Sequence, residues 1–192
     1  MSQDLLEKIL LLALTAIITG FGIPYVLKRI EERKLKEQKK FEAELARQGK
    51  IIEAQSQLLD DLGRTLWKWR YLAKRVTYYG SEANREKFDI ARKEYDENVW
   101  DVLNDLRVQS SKSRRLVSEA AYKELRAFYN YLVNDIDRKI SALCKKGELD
   151  AITIRESEEL SKRFSSEVSQ RIDDMIDYLA AELHLKVEQD RT

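Results

Sequence analysis

Chemistry needs side chains that converge, and this chain offers few that could. It holds one histidine, His184, and one cysteine, Cys144. A carboxylate-bridged dimetal site in a helical bundle draws on paired Glu-x-x-His motifs, whereas the residue three positions before His184 is Ala181. His184 therefore reads as an end-of-helix side chain, not as a ligand or base. Cys144 lies in ALCKKG, where Lys145 and Lys146 could lower its pKa. No histidine stands near it in sequence as a partner, so it reads as an ordinary thiol. The acidic groupings Asp60/Asp61, Asp135/Asp137 and Asp173/Asp174/Asp177 place neighbouring carboxylates about 100° apart on a helix, which reads as solvated faces. No glycine-rich phosphate loop, nucleophile elbow or His/Cys ligand cluster occurs in the sequence. The expectation is a non-enzymatic chain with no catalytic residue, metal site or cofactor.

The stretch LWKWRYLAKRVTYY, residues 66–79, is the most suggestive polar feature. Trp67, Lys68, Arg70, Lys74 and Arg75, together with Lys112, Arg114 and Arg115 of SSKSRR, form the candidate surface for a partner or an anion. Aromatic rings beside cations can stack bases while the cations neutralise phosphates. Against that, Trp69 falls on an apolar seam, and Trp67, Tyr71 and Tyr78 make a second stripe at spacings of four and seven. Packing in the core and at its edge is expected to account for most of these rings. A chain of net charge +1 offers no broad basic field, and nucleic acid is not the expected partner. SSKSRR reads as a polar connector between helices.

These residues must be positioned by helices, because no strand pattern of any length occurs. One proline and six glycines leave few obligatory breaks, and 36% of the chain is charged while apolar residues stay plentiful, a composition of long amphipathic helices. From Leu45 onward Ile52, Leu59, Leu66 and Ala73 make one seam, with Leu62, Trp69 and Val76 interleaved and Gln48 and Gln55 at the earlier interleaved positions. The seam is expected to become dry from about Leu58 and to end near TYYGSEAN, with Gly80 as a left-handed C-terminal residue and Ser81 as the next cap. A second apolar set runs Phe88, Ala91, Tyr95, Val99, Val102 or Leu103, and Leu106. A third runs Ala121, Leu125, Phe128, Leu132, Ile136, Ile140 and Leu143 before Gly147. Thr153 and Glu156 suggest a capping box for a fourth, through Leu160, Phe164, Val168, Ile172, Met175/Ile176, Leu179 and Leu183. Four such helices pack most simply as an antiparallel up-down bundle over residues 51–192.

Ahead of it lies a different kind of segment. Ile9 to Leu27 is nineteen residues without a charge, about 28 Å as a helix, close to the hydrocarbon thickness of a bilayer. Asp4 and Glu7 outweigh Lys8, and no A-x-A site closes the run, which argues against a cleaved signal peptide. Residues 1–27 therefore read as a single transmembrane anchor. Pro24 is expected to kink it, and Ala16 and Gly20 have the small-xxx-small spacing that lets membrane helices approach. Lys28, Arg29, Arg33, Lys34, Lys36, Lys39 and Lys40 follow the run, against one basic residue before it. That asymmetry puts the N-terminus outside and the rest in the cytoplasm. Residues 28–50 carry nine Lys or Arg and five Glu with no breaker before Gly49, and read as a solvated helical stalk. The lone cysteine is consistent with a reducing compartment.

The expected architecture is thus all-α: anchor 1–27, basic stalk 28–50, four-helix bundle 51–192. The expected role is a membrane-tethered interaction or assembly module, its partners the bilayer and a protein or a further copy of itself. The alternative is an effector that senses a ligand or partner, clusters, and perturbs the membrane through the Ala16/Gly20 helix.

Overall fold

The computed structural model describes residues 10–12, 15, 19–20 and 23–183, and every regular element among them is helical. Among the described residues no helix is long and apolar enough to cross a membrane. Most of the run Ile9–Leu27, Ala16 included, lies outside the described residues, as does His184. Helix α1 (Ile23–Ser81) has 59 residues. Residues 21 and 22, just before Pro24, lie outside the described residues, and with them the expected kink.

The chain divides into two compact units, Met1–Lys50 and Ile51–Thr192. In the first, residues 25–50 are exposed throughout. Its helix is sustained by neighbours at helical spacing, Gln38 donating to Glu42 at 2.9 Å and Arg47 facing Glu44 at 3.9 Å, interactions of a few tenths of a kcal/mol each, about 0.2–0.5.

In the second unit the α1 seam is dry from Leu58, and Leu62, Leu66, Trp69, Ala73 and Val76 are fully buried. Helix α2 (Arg85–Ser113) follows, its Asn84 cap accepting from the Lys87 N–H. Helix α3 (Glu119–Tyr131) widens into a π-helical stretch, Leu132–Asp137, and continues as α4 (Arg138–Lys146). Helix α5 (Ala151–Arg163) widens likewise over Phe164–Val168 and continues as α6 (Ser169–Glu182). From Leu58 on, the apolar residues expected to face inward are buried, apart from Leu59, Met175 and Ile176, which are half-buried. Helix α2 packs on α3 and α4, α3 on α6, and α4 on α5. From α1, Trp69 meets Phe164 with ring centroids 5.7 Å apart, and Gln55 donates to the Leu116 carbonyl at 2.8 Å.

Several helix ends differ from expectation, each for a local reason. Gly80 is buried inside α1, and a Cβ there would collide with the Ser157 hydroxyl. Close approach of α5 explains this glycine; the left-handed position belongs to Ala83, φ 52°. Ser81 caps nothing, its hydroxyl donating back to the Tyr78 carbonyl at 2.7 Å. Most of SSKSRR is helix, because Ser113 is buried with its hydroxyl satisfied by the Ser110 carbonyl at 2.7 Å, and the turn follows it. Asp150, not Thr153, caps α5, accepting from the Thr153 N–H at 2.7 Å. Gly147 closes α4 at φ 70°, as its position before the fourth apolar set implies.

Candidate interaction surface

On a helix of 100° per residue, positions 67, 71 and 78 lie opposite the buried seam through Trp69. Trp67, Tyr71 and Tyr78 are accordingly 52%, 58% and 47% exposed. The expectation that these rings pack in or beside the core is corrected: of the tryptophans and tyrosines in this stretch, only Trp69 is buried.

Two arginines hold the exposed rings. The Arg70 guanidinium lies 4.3 Å over the Trp67 ring, and its buried Nη1 faces Asp173 of α6 at 3.8 Å, an ion pair without a hydrogen bond. Arg75 lies 5.3 Å from the Tyr71 ring centroid and forms an ion pair with Glu94 of α2. Each is a carboxylate–guanidinium–aromatic stack, in which the acid spends the arginine's charge and the arginine fixes the ring. Lys68 and Lys74, also exposed, make no ion pair among the described residues. A cleft of about 490 Å³ runs along this face, lined by the rings together with Arg70, Lys74 and Arg75.

The other half of the predicted surface lies elsewhere. Lys112 ends α2, and Arg114 and Arg115 occupy the turn that follows. Lys112 and Arg115 line a separate cleft with no lining residue in common with the first. Sequence reasoning missed Asp173 and Glu94 as partners of the arginines. It also passed over a legible signal: residues 62–81 contain five cations and no acid.

Polar groups inside the unit complete the picture. Tyr95 donates a hydrogen bond to Asp137, and both are buried. Burial raises the Asp137 carboxyl above the usual carboxylate range, and burial plus the neighbouring Asp137 raises the Tyr95 hydroxyl. The buried indole N–H of Trp69 closes no hydrogen bond, yet its positive end offsets part of both shifts. Asp137 is thus an exception to the solvated reading of the acidic groupings, and Asp173 is engaged by Arg70. Burial likewise pushes the Cys144 thiol up to about 12, the reverse of activation by Lys145 and Lys146, which point to solvent. At the ends of the π-helical stretches, Tyr131 donates to Glu167 at 2.9 Å and Arg163 does so at 2.9 Å. Hydrogen bonding from Arg163 first, and from Tyr131, holds Glu167 down to about 2. Among the described residues no three His, Cys, Asp or Glu side chains come together as a metal site.

Compared with protein-family models, curated proteins and solved structures, the chain matches none of them.

Proposed function

We propose that the chain is a membrane-tethered, non-enzymatic helical interaction module, its antiparallel up-down bundle in the cytoplasm, and that the outer face of α1 docks a protein partner. The observation that carries this reading is the pair of carboxylate–guanidinium–aromatic stacks. Tryptophan, tyrosine and arginine dominate the energetics of protein interfaces, and rings already held by their neighbours lose little freedom on binding. The unpaired Lys68 and Lys74, in a stretch without acids, ask for acidic side chains on the partner. Nucleic acid fits less well, because Asp173 and Glu94 already neutralise the two arginines that phosphates would need.

The tether rests on the length and charged flanks of the Ile9–Leu27 run.

A photoreactive amino acid placed at Tyr71 in intact cells tests the docking face, with the same group at exposed Lys139 as control. A discrete protein adduct is expected at position 71 only, lost when Trp67→Ala is added; adducts at neither site, or equally at both, would refute it. Topology is tested in a Cys144→Ala background, since the native thiol is buried. A cysteine at position 2 should react with an impermeant reagent from outside, and one at position 139 should not. The reverse pattern defeats the cytoplasmic assignment.

A further inference from the structure

We propose that the cleft between the start of the bundle portion of α1 and the end of α2 binds an amphipathic organic anion, an apolar body carrying a carboxylate, sulfonate or phosphate. The cleft measures about 690 Å³, within the range of about 300–1,000 Å³ typical of small-molecule sites. Its lining includes Leu58, which is 3% exposed, half-buried Leu116, and Val108, which is 42% exposed and so presents apolar surface to whatever enters.

Arg107, Lys112 and Arg115 line it too, and none forms an ion pair among the described residues. Asp61 is the only acid in the lining, and it is engaged by Gln57 at 2.9 Å and faces Arg64 at 3.9 Å. Three cations less one carboxylate leave the lining at a net +2. The surrounding sequence has the same bias: residues 106–118 hold four cations and no acid. Cations at the end of α2 also complement the negative end of its dipole. That accounts for Lys112 and its neighbours in the turn, but not for Arg107, more than a turn earlier, nor for the exposed Val108. An apolar floor and a cationic rim describe a ligand with two chemically different ends.

The test uses the full chain in phosphatidylcholine nanodiscs and two water-soluble photoprobes of equal size, benzophenone-4-carboxylate and neutral benzophenone-4-methanol. Adducts are located by peptide mass spectrometry. The carboxylate should label residues 54–61 and 104–116 preferentially. Lys112→Gln/Arg115→Gln should cut that labelling about tenfold, equivalent to about 1.4 kcal/mol of lost binding. Both residues are exposed, and an unchanged helical melt will verify that the variant is folded; if it is not, Arg107→Gln alone takes its place. Equal labelling by the neutral probe, carboxylate labelling spread over the surface, or labelling untouched by the substitutions in a folded variant would each overturn the proposal. A parallel set of discs with phosphatidylserine separates the two sources of such an anion: competition by the anionic discs identifies a lipid headgroup, and its absence a free ligand.

Discussion

Asp137 and Glu167 are carboxylates held on opposite sides of their ordinary acidity, and they should give the molecule opposing responses to pH. Asp137 is raised by burial. Between the ordinary carboxylate value and its raised one, the folded chain keeps a proton that the unfolded chain has released, so stability falls as pH rises through that window. Glu167 is lowered from 4.5 to about 2. Its contribution is complete above the unfolded value and disappears as pH falls through the folded one. Melting curves by circular dichroism from pH 2 to 8 separate the two. Asp137→Asn should flatten the decline on the alkaline side of about pH 4, since an amide still accepts from Tyr95 without a charge to bury. Glu167→Gln should flatten the acid limb. Parallel profiles for wild type and Asp137→Asn would mean that Asp137 ionises in the core at no cost. Neither environment was legible in the sequence: Asp135 and Asp137 look alike as letters, and only the fold, which brings Tyr95 of α2 onto Asp137, separates the exposed one from the buried one.

At the level of the helices, the spacing of apolar residues encodes more than which side faces inward. Leu132, Ile136 and Ile140, and Phe164, Val168 and Ile172, recur at intervals of four. In an α-helix of 3.6 residues per turn each such step drifts about 40°, enough to carry a stripe out of the core after a few repeats. The π-helical stretches Leu132–Asp137 and Phe164–Val168 fall on these runs, and by widening the turn they keep every member buried. The apolar stripes are legible from spacing alone; the altered backbone is implied by the same spacing but emerges only once every member is seen to be buried. Gly80 shows the opposite case, a glycine whose reason lies 77 positions away in Ser157. Gly80→Ala should destabilise by about 1–3 kcal/mol through overpacking. Combining it with Ser157→Gly should recover part of that, with a coupling above about 0.5 kcal/mol in a denaturant double-mutant cycle. Additive losses would show that α5 can move aside and that the contact is not tight.

For the whole molecule, the question is whether association belongs to the apolar run Ile9–Leu27 or to the helical bundle. Gly20 has open space around its Cα, with nothing within 4 Å of where a methyl group would stand, so a second helix is not hindered there by the chain itself. Alongside Ala16, which lies outside the described residues, it has the spacing for close helix approach. The full chain in mild detergent should therefore be a homo-oligomer that Gly20→Ile weakens, with no change in the melting temperature of the bundle. Sedimentation of both proteins decides it: an undiminished oligomer in the variant would move the contact to the helices of residues 51–192 and away from the Ile9–Leu27 run. Charge asymmetry and hydropathy are the whole basis of the anchor proposed for the Ile9–Leu27 run. The direction in which Trp67, Tyr71 and Tyr78 point was readable from the sequence, once the period of the helix was applied to the outer face as strictly as to the inner one.

The three tryptophans stand in three different optical environments. Trp69 is sealed in the core, Trp67 lies under the Arg70 guanidinium and is half open, and Trp100 on α2 is 76% exposed. An aqueous quencher such as iodide therefore reaches Trp67 and Trp100 but not Trp69, and the intrinsic fluorescence divides into a red-shifted, quenchable part and a blue-shifted, silent one. Any partner that covers the outer face of α1 removes Trp67 from the quenchable part and leaves Trp100 within it. The protein thus carries its own label-free gauge of occupancy, with a core reference and a solvent reference in the same chain.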